Sequence, residues 1–471
     1  MNRRRWLGGG AGVVVTGALV IHLALGDVGS VFTGAAARLV CTAVFAAERD
    51  PEVALRQDLD ERLSAPGKYI DLARTSVDFE AQEVRATLFG WQPRIAVHRE
   101  GLGCTVAEGV SVDELHQQSP GVPWALPEPS PTALWPEGEA TDTNQLPDGV
   151  DAAALLAAID AGFQDADPAR PRRTRAVVVV HAGRIVGEQY ADGFNEATEH
   201  LSNSVAKSVT ASLIGVLVQQ GKLDVDAPAP VAEWQEPGDP RGAITLDDLL
   251  RMSSGLAFEE SYSKVKSDIT MQYAHGDLAG YAASRPLEAD PGTRFHYSTG
   301  TANLLGRIVR EAASDDLAEG LAFPRRALFE PLGMRNTVLE ADGMGNFVGG
   351  SAVHASARDY ARLGLLYLRD GVWNGTRILP EGWVDYVTTP TEGADADAPY
   401  GAQFWLNWDG QSDVRRHEEL PRDAFFMNGH QGQHVIIIPS RDVVVVRTGL
   451  TEFGNFDVGE YVAGILEALP A

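Results

Sequence analysis

HLSNSVAKSVTASLIGVLVQQG, residues 200–221, decides how the rest of the chain is read. Val205, Val209, Leu213, Val216 and Leu217 recur at helical spacing, so the stretch predicts a helix that opens at Ser204. Lys207 then stands one turn further on, on the same face as Ser204. A serine hydroxyl is a poor nucleophile until a base takes its proton, and the positive end of a helix favours the charge that develops on it. Lysine serves as such a base when its surroundings favour the neutral form, whereas arginine does not give up its proton. The bland alternative is a capping serine followed by a surface lysine. Ser-x-x-Lys also occurs at Ser261/Lys264 and Ser263/Lys266, but both lie in the polar run EESYSKVKSD. Only five lysines occur among the 39 basic residues, which sets Lys207 apart.

Two further elements lie downstream. PGTRFHYST at 291–299 precedes an apolar helix through Leu304 and Leu305, and places Tyr297 at a loop-to-helix junction from which a phenol can point into a cleft. A packed tyrosine with a satisfied hydroxyl fits the same pattern. NGHQGQ at 428–433 leads straight into the strand HVIIIP. Glycines there let a substrate approach the strand edge, and a free amide such as that of Gln433 can donate to an oxyanion. An ordinary turn before a strand is the plainer reading.

Working outward, RAVVVV and RIVGEQY between Arg175 and Tyr190 read as a hairpin across His181-Ala182-Gly183. HVIIIP and RDVVVVRTG read as another around Pro439-Ser440, with a terminal helix from Asp457. Between them the periodicity is mostly helical, as in SARDYARLGLLYLRDG at 356–371. Strands at both ends and helices between predict an α+β domain over 151–471, in which an antiparallel sheet closed by the two ends carries a helical insertion at about 222–345. Asp151 caps the first helix, DAAALLAAIDAGF. Before it, seven prolines between Ser119 and Gly149 exclude a helix or central strand, so 119–150 reads as a linker. Residues 27–118 form an N-terminal extension without a catalytic signature.

The chain has no G-x-S-x-G elbow, H-E-x-x-H, Walker loop or strand-linked G-x-G-x-x-G. No C-x-x-C or His-Cys cluster is present, so neither a metal nor another cofactor is called for. The 471 residues carry a formal charge of −26, with 44% hydrophobic and 22% charged residues. That composition belongs to a globular protein, and the acidic balance argues against nucleic acid as a partner. Arg3, Arg4 and Arg5 precede an apolar run from Trp6 to Leu25. Its length suits an inner-membrane anchor, which would put the remainder outside the cytoplasm, in a periplasmic or other extracytoplasmic space. Ala24-Leu25-Gly26 also offers a cleavage site, so 1–26 is a signal or an anchor. In that oxidising space Cys41 and Cys104 either pair or remain two buried thiols.

Taken in order, the Ser204, Tyr297 and 428–433 elements resemble the serine β-lactamase and penicillin-binding-protein superfamily, specifically its class C-like hydrolases. These include esterases, D-amino-acid peptidases and 6-aminohexanoate-dimer hydrolases. LDDLLRMSSGL at 246–256 and GGSAVHASARDYARLGLLYLRDG at 349–371 support the resemblance, which covers roughly 151–471. EESYS and ARLVCTAVFAAERDPE at 37–52 look most like the aminohexanoate-hydrolase branch.

The resemblance implies a β-lactamase/transpeptidase-like fold that cleaves a small amide or ester. Ser204 would be the acylated nucleophile, Lys207 its base and Tyr297 a proton relay. The amides of Ser204 and Gln433 would form the oxyanion hole, and Tyr262 would contact substrate amides. Thr299 stands where the family has the Asn of Tyr-x-Asn, and His430-Gln431-Gly432 where it has Lys-Thr-Gly, which puts β-lactam cleavage in question. A D,D-peptidase and a non-catalytic envelope-binding protein of the same fold are the rival expectations.

Overall fold

The computed structural model describes residues 27–47, 49–51, 73–118, 132–142, 145–165, 167–261 and 266–470. The expected export segment 1–26, most of the Pro-rich linker and Tyr262 lie outside the described residues. The chain divides into two compact units.

The smaller unit comprises 1–99, 104–117 and 259–276. Helix α1 (Asp27–Cys41) lies on an antiparallel sheet of β1 (Ala73–Asp78), β2 (Glu83–Leu88), β3 (Trp91–Arg99) and β4 (Gly103–Val106), in the spatial order β1-β2-β3-β4. Ala36, Ala37 and Val40 meet Val84, Ala86 and Ala96 in the core between helix and sheet. The stretch Val28–Ala46 is long and apolar enough to cross a membrane by length and composition, yet 72% of it is buried inside the protein. Cys41 at the end of α1 is disulfide-bonded to Cys104 on β4, across 63 residues of sequence. The helix Ser267–Ala274 belongs to this unit as well, although it falls within the stretch expected as the hydrolase domain's insertion. Gly34 is what lets it come close, because a Cβ there would meet the Tyr273 carbonyl oxygen at 2.0 Å.

The larger unit begins with α2 (Ala152–Ala161), whose cap is the Asp151 carboxylate accepting from the amides of Ala153 and Ala154. β5 (Thr174–His181) and β6 (Arg184–Tyr190) form the first hairpin, turning through Ala182 and Gly183, both at positive φ. The long helices that follow are α3 (Val205–Gln219), α4 (Thr299–Ala313) and α5 (Ala357–Leu368). β7 (Trp405–Leu406), β8 (Phe425–Gly429), β9 (Gln433–Ile438), β10 (Val443–Gly449) and α6 (Val458–Glu467) complete the unit. The sheet order is β7-β8-β9-β10-β5-β6, antiparallel throughout, so the C-terminal strand β10 pairs with the early strand β5.

Both faces of this sheet are buried, which is why its strands read as unbroken apolar runs instead of alternating. Successive side chains go to opposite faces. Val177, Val179, Ile436, Val443 and Val445 pack with Leu155 of α2 and Ile465 of α6. Val178, Val180, Val435, Val444 and Val446 pack with α3 and α5 through residues such as Leu213 and Leu363. The helices on this second face hold the residues described next.

Candidate active site

Ser204 is the N-cap of α3, and its side chain makes no capping bond. That leaves its hydroxyl available and its N–H among the amides that no intrahelical bond uses. The preceding Asn203 sits at φ 48°, a left-handed conformation asparagine tolerates, which turns the chain sharply out of the short strand His200–Leu201. Its side-chain amide donates to the carbonyl of His430 at 2.7 Å. Gly429, at the end of β8, is in contact with the same turn: a Cβ there would lie 2.0 Å from the Ser202 carbonyl oxygen.

Lys207 occupies the next turn of α3 and is 1% exposed. Its ammonium donates to Ser204 Oγ at 3.1 Å, to Thr299 Oγ1 at 3.0 Å and to the carbonyl of Gly350 at 2.8 Å. These three neutral acceptors match its three N–H bonds. The Tyr297 ring centroid lies 4.8 Å from Nζ. Thr299 is held there because Ser298 caps α4, accepting from the Thr301 amide, while Asn303 one turn on fixes Gly350 by accepting its N–H. Gly350 has to be glycine on steric grounds, since a Cβ would come within 2.7 Å of the Thr299 carbonyl oxygen.

Tyr297 is flanked by aromatic rings, with Trp405 5.4 Å away and Tyr400 edge-on at 5.8 Å. Arg416 lies over Trp405, its guanidinium carbon 4.5 Å from the ring centroid, and burial lowers its pKa to about 10. Burial, together with the nearby cations Arg447 and Arg416 and the neighbouring His417, holds His434 on β9 well below the usual imidazole range.

The expected residues therefore fall into two groups. Lys207 is in contact with Ser204, Tyr297 and Thr299, and the backbone of His430 meets Asn203, the residue before the serine. Gln433 does not supply its side chain there. It pairs with Gly429 across the hairpin, and its amide donates to the carbonyls of Gln431 and Gly449. It braces the 430–432 loop, in which Gln431 and Gly432 both have positive φ. A Cβ on Gly432 would strike the guanidinium of Arg447. The last residue of β8 reaches the serine turn, and the first of β9 is paired with it. Asn203, Asn303, Gly350, Trp405 and Arg416 were not singled out in the sequence. The paired glycines 349–350 were the one visible signal among them, since glycine marks close backbone approach.

The sequence model of the Beta-lactamase family matches residues 156–460, more than half of the chain. The chain belongs to this family of hydrolases. The 6-aminohexanoate-dimer hydrolase of Paenarthrobacter ureafaciens is 25% identical over 297 residues, covering 58% of this chain and 72% of that protein. A penicillin-binding protein homolog from Caulobacter crescentus shares the fold at TM-score 0.51 and 18% identity, covering 68% of this chain and 97% of the other. EstCE1, a hydrolase with promiscuous acyltransferase activity, is similar at TM-score 0.51 and 18% identity, covering 67% of this chain and 98% of the other.

Proposed function

We propose that the protein is an exported serine hydrolase that cleaves a small amide or ester through an acyl-enzyme on Ser204. The contact that carries this reading is the 3.1 Å hydrogen bond between Lys207 Nζ and Ser204 Oγ, beside the ring of Tyr297. With Lys207 as the neutral amine, Ser204 Oγ attacks the substrate carbonyl as its proton passes to the Lys207 Nζ lone pair, giving a tetrahedral oxyanion and a Lys207 ammonium. Tyr297 relays a proton to the leaving amine or alcohol as the bond to it breaks. Water then adds to the acyl-enzyme with the proton flow reversed, releasing the acid and restoring Ser204. The backbone amides of Ser204, at the start of α3, and of Gln433, the first residue of β9, are the two donors to the oxyanion. The relative named 6-aminohexanoate-dimer hydrolase favours a small amide as the substrate class. Export and anchoring through 6–25 are supported by the tribasic tip ahead of the apolar run and by the Cys41–Cys104 disulfide.

The test is labelling with a fluorophosphonate, mapping of the modified residue, and turnover of a p-nitrophenyl ester. Ser204→Ala should lose both label and turnover. Turnover that persists in this variant overturns the assignment.

A further inference from the structure

The peptide between Gly349 and Gly350 is gripped from both sides. Its N–H donates to Asn303 Oδ1 at 3.0 Å, and its carbonyl oxygen accepts from Thr210 Oγ1 at 3.0 Å, a hydroxyl that shares its proton with the Ala206 carbonyl. Thr210 stands one turn beyond Lys207 on α3, and Asn303 one turn beyond Thr299 on α4, so each helix turns two side chains toward the same segment. The next peptide carries the Gly350 carbonyl, and its N–H, that of Ser351, donates to the Val348 carbonyl at 3.3 Å. Both glycines are required by the closeness of the helices: a Cβ on Gly349 would lie 2.6 Å from Thr210 Oγ1, and one on Gly350 would lie 2.7 Å from Thr299 Cγ2. Asn303 and Thr210 have no exposed surface, so a substrate does not reach them.

The Gly350 carbonyl accepts from Lys207 Nζ at 2.8 Å, and unlike the hydroxyls of Ser204 and Thr299 it has no proton to give. In the neutral amine, two N–H bonds and one lone pair share the three directions that lead to Ser204, Thr299 and Gly350. A lone pair facing the carbonyl oxygen is repelled, so an N–H is committed there and the lone pair is left to the hydroxyls, one of which is the nucleophile. We infer that Asn303 is a positioning residue for the serine chemistry. Together with Thr210 it fixes the Gly349–Gly350 peptide, and the carbonyl next to that peptide orients Lys207 to take the Ser204 proton. This rests on the proposed acyl-enzyme reading and adds to it two residues that act through Lys207 without touching the substrate. Released from the two side chains, a diglycine rotates readily, because glycine has little steric restriction on φ and ψ. The base would then lose its orientation, which is what proton transfer in a preformed site depends on.

Asn303→Leu keeps the size of the side chain and removes the acceptor, and Thr210→Val removes the hydroxyl. Acylation by p-nitrophenyl acetate is read as the burst of p-nitrophenol or, where no burst appears, as kcat. In Asn303→Leu its rate at saturating ester should fall by about tenfold or more, while the ester concentration giving half that rate changes by less than about twofold. Because the two side chains hold one peptide, the double variant Asn303→Leu/Thr210→Val should be little slower than Asn303→Leu, whereas two unrelated packing defects would multiply. An acylation rate within about twofold of native in a folded Asn303→Leu, a loss that lies in substrate binding instead, or losses that multiply in the double variant overturns the inference. If Asn303→Leu does not fold by circular dichroism, Thr210→Val decides alone: acylation slowed by about threefold or more at unchanged binding supports the inference, and any other result overturns it. Failure of the serine chemistry would be seen separately, as absence of fluorophosphonate label on Ser204 of the native protein.

Discussion

Lys207 is where chemistry and packing constrain a single side chain most tightly. It is buried, its three N–H bonds have three neutral acceptors, and no carboxylate pairs with it among the described residues. Replacement by arginine keeps a cation but forces a larger, planar, permanently protonated group against Thr299 and Gly350. Lys207→Arg should therefore lower kcat for ester hydrolysis by about 100-fold or more, as expected when a base in a nucleophile–base pair is lost. Stopped-flow release of p-nitrophenol reads this as a slowed acylation phase, and an undiminished burst would exclude Lys207 as the base. Serine and lysine were legible in the sequence because they sit three residues apart on one helix, and Tyr297 because it precedes a helix start. What the sequence leaves open is the side chain of Gln433, because a glycine-rich turn between two strands does not say which of its groups face the site and which brace the loop. Arg416 was illegible, because only the closed 407–424 loop carries it onto Trp405.

At the scale of elements, the apolar runs that identify β5, β9 and β10 reflect burial on both sheet faces, and they located the strands without giving their order. That β10 pairs with β5 followed from the expectation of a sheet closed by its ends. Ile436 on β9 is completely buried among residues of α2 and α6, so Ile436→Ala should cost about 2–5 kcal/mol by denaturant titration. Two strand positions along from the turn, His434 gives the same element a pH dependence. Burial, with Arg447, Arg416 and His417 around it, keeps its folded-state pKa well below the 6.5 of an exposed imidazole, and Nδ1 meets Asn428 Oδ1 at 2.8 Å. The unfolded chain takes up a proton near pH 6.5 that the folded chain does not, so this contribution to stability is present above that pH and is lost as pH falls below it. Urea midpoints should drop between pH 7.5 and 5.5 in the native protein and drop less in His434→Gln. Equal slopes in the two would remove His434 as the cause.

For the whole molecule, the division into units depends on contacts that no local pattern announces. The helix Ser267–Ala274 lies far along the chain from α1, yet both belong to the smaller unit. Sequence gave no sign of this because the pairing is non-local. The same unit carries the disulfide on which the proposed export partly rests. α1 is apolar enough to be taken for a membrane span, but its burial against β2 and β3 is internal, and its last residue is tied to β4 through Cys41–Cys104. A crosslink closing a loop of this length restricts the unfolded chain by about 4 kcal/mol on the chain-entropy model. A small core built largely of alanine and valine depends on that constraint more than a large one would. Protein made with its native N-terminus should therefore resist maleimide labelling under denaturing conditions until a reductant is added. The chain begun at Asp27 and made in a reducing cytosol should label at both cysteines and yield a smaller unit that is cleaved first in limited proteolysis. Free thiols in the full-length product would count against export, because an oxidising space is what makes the pair persist.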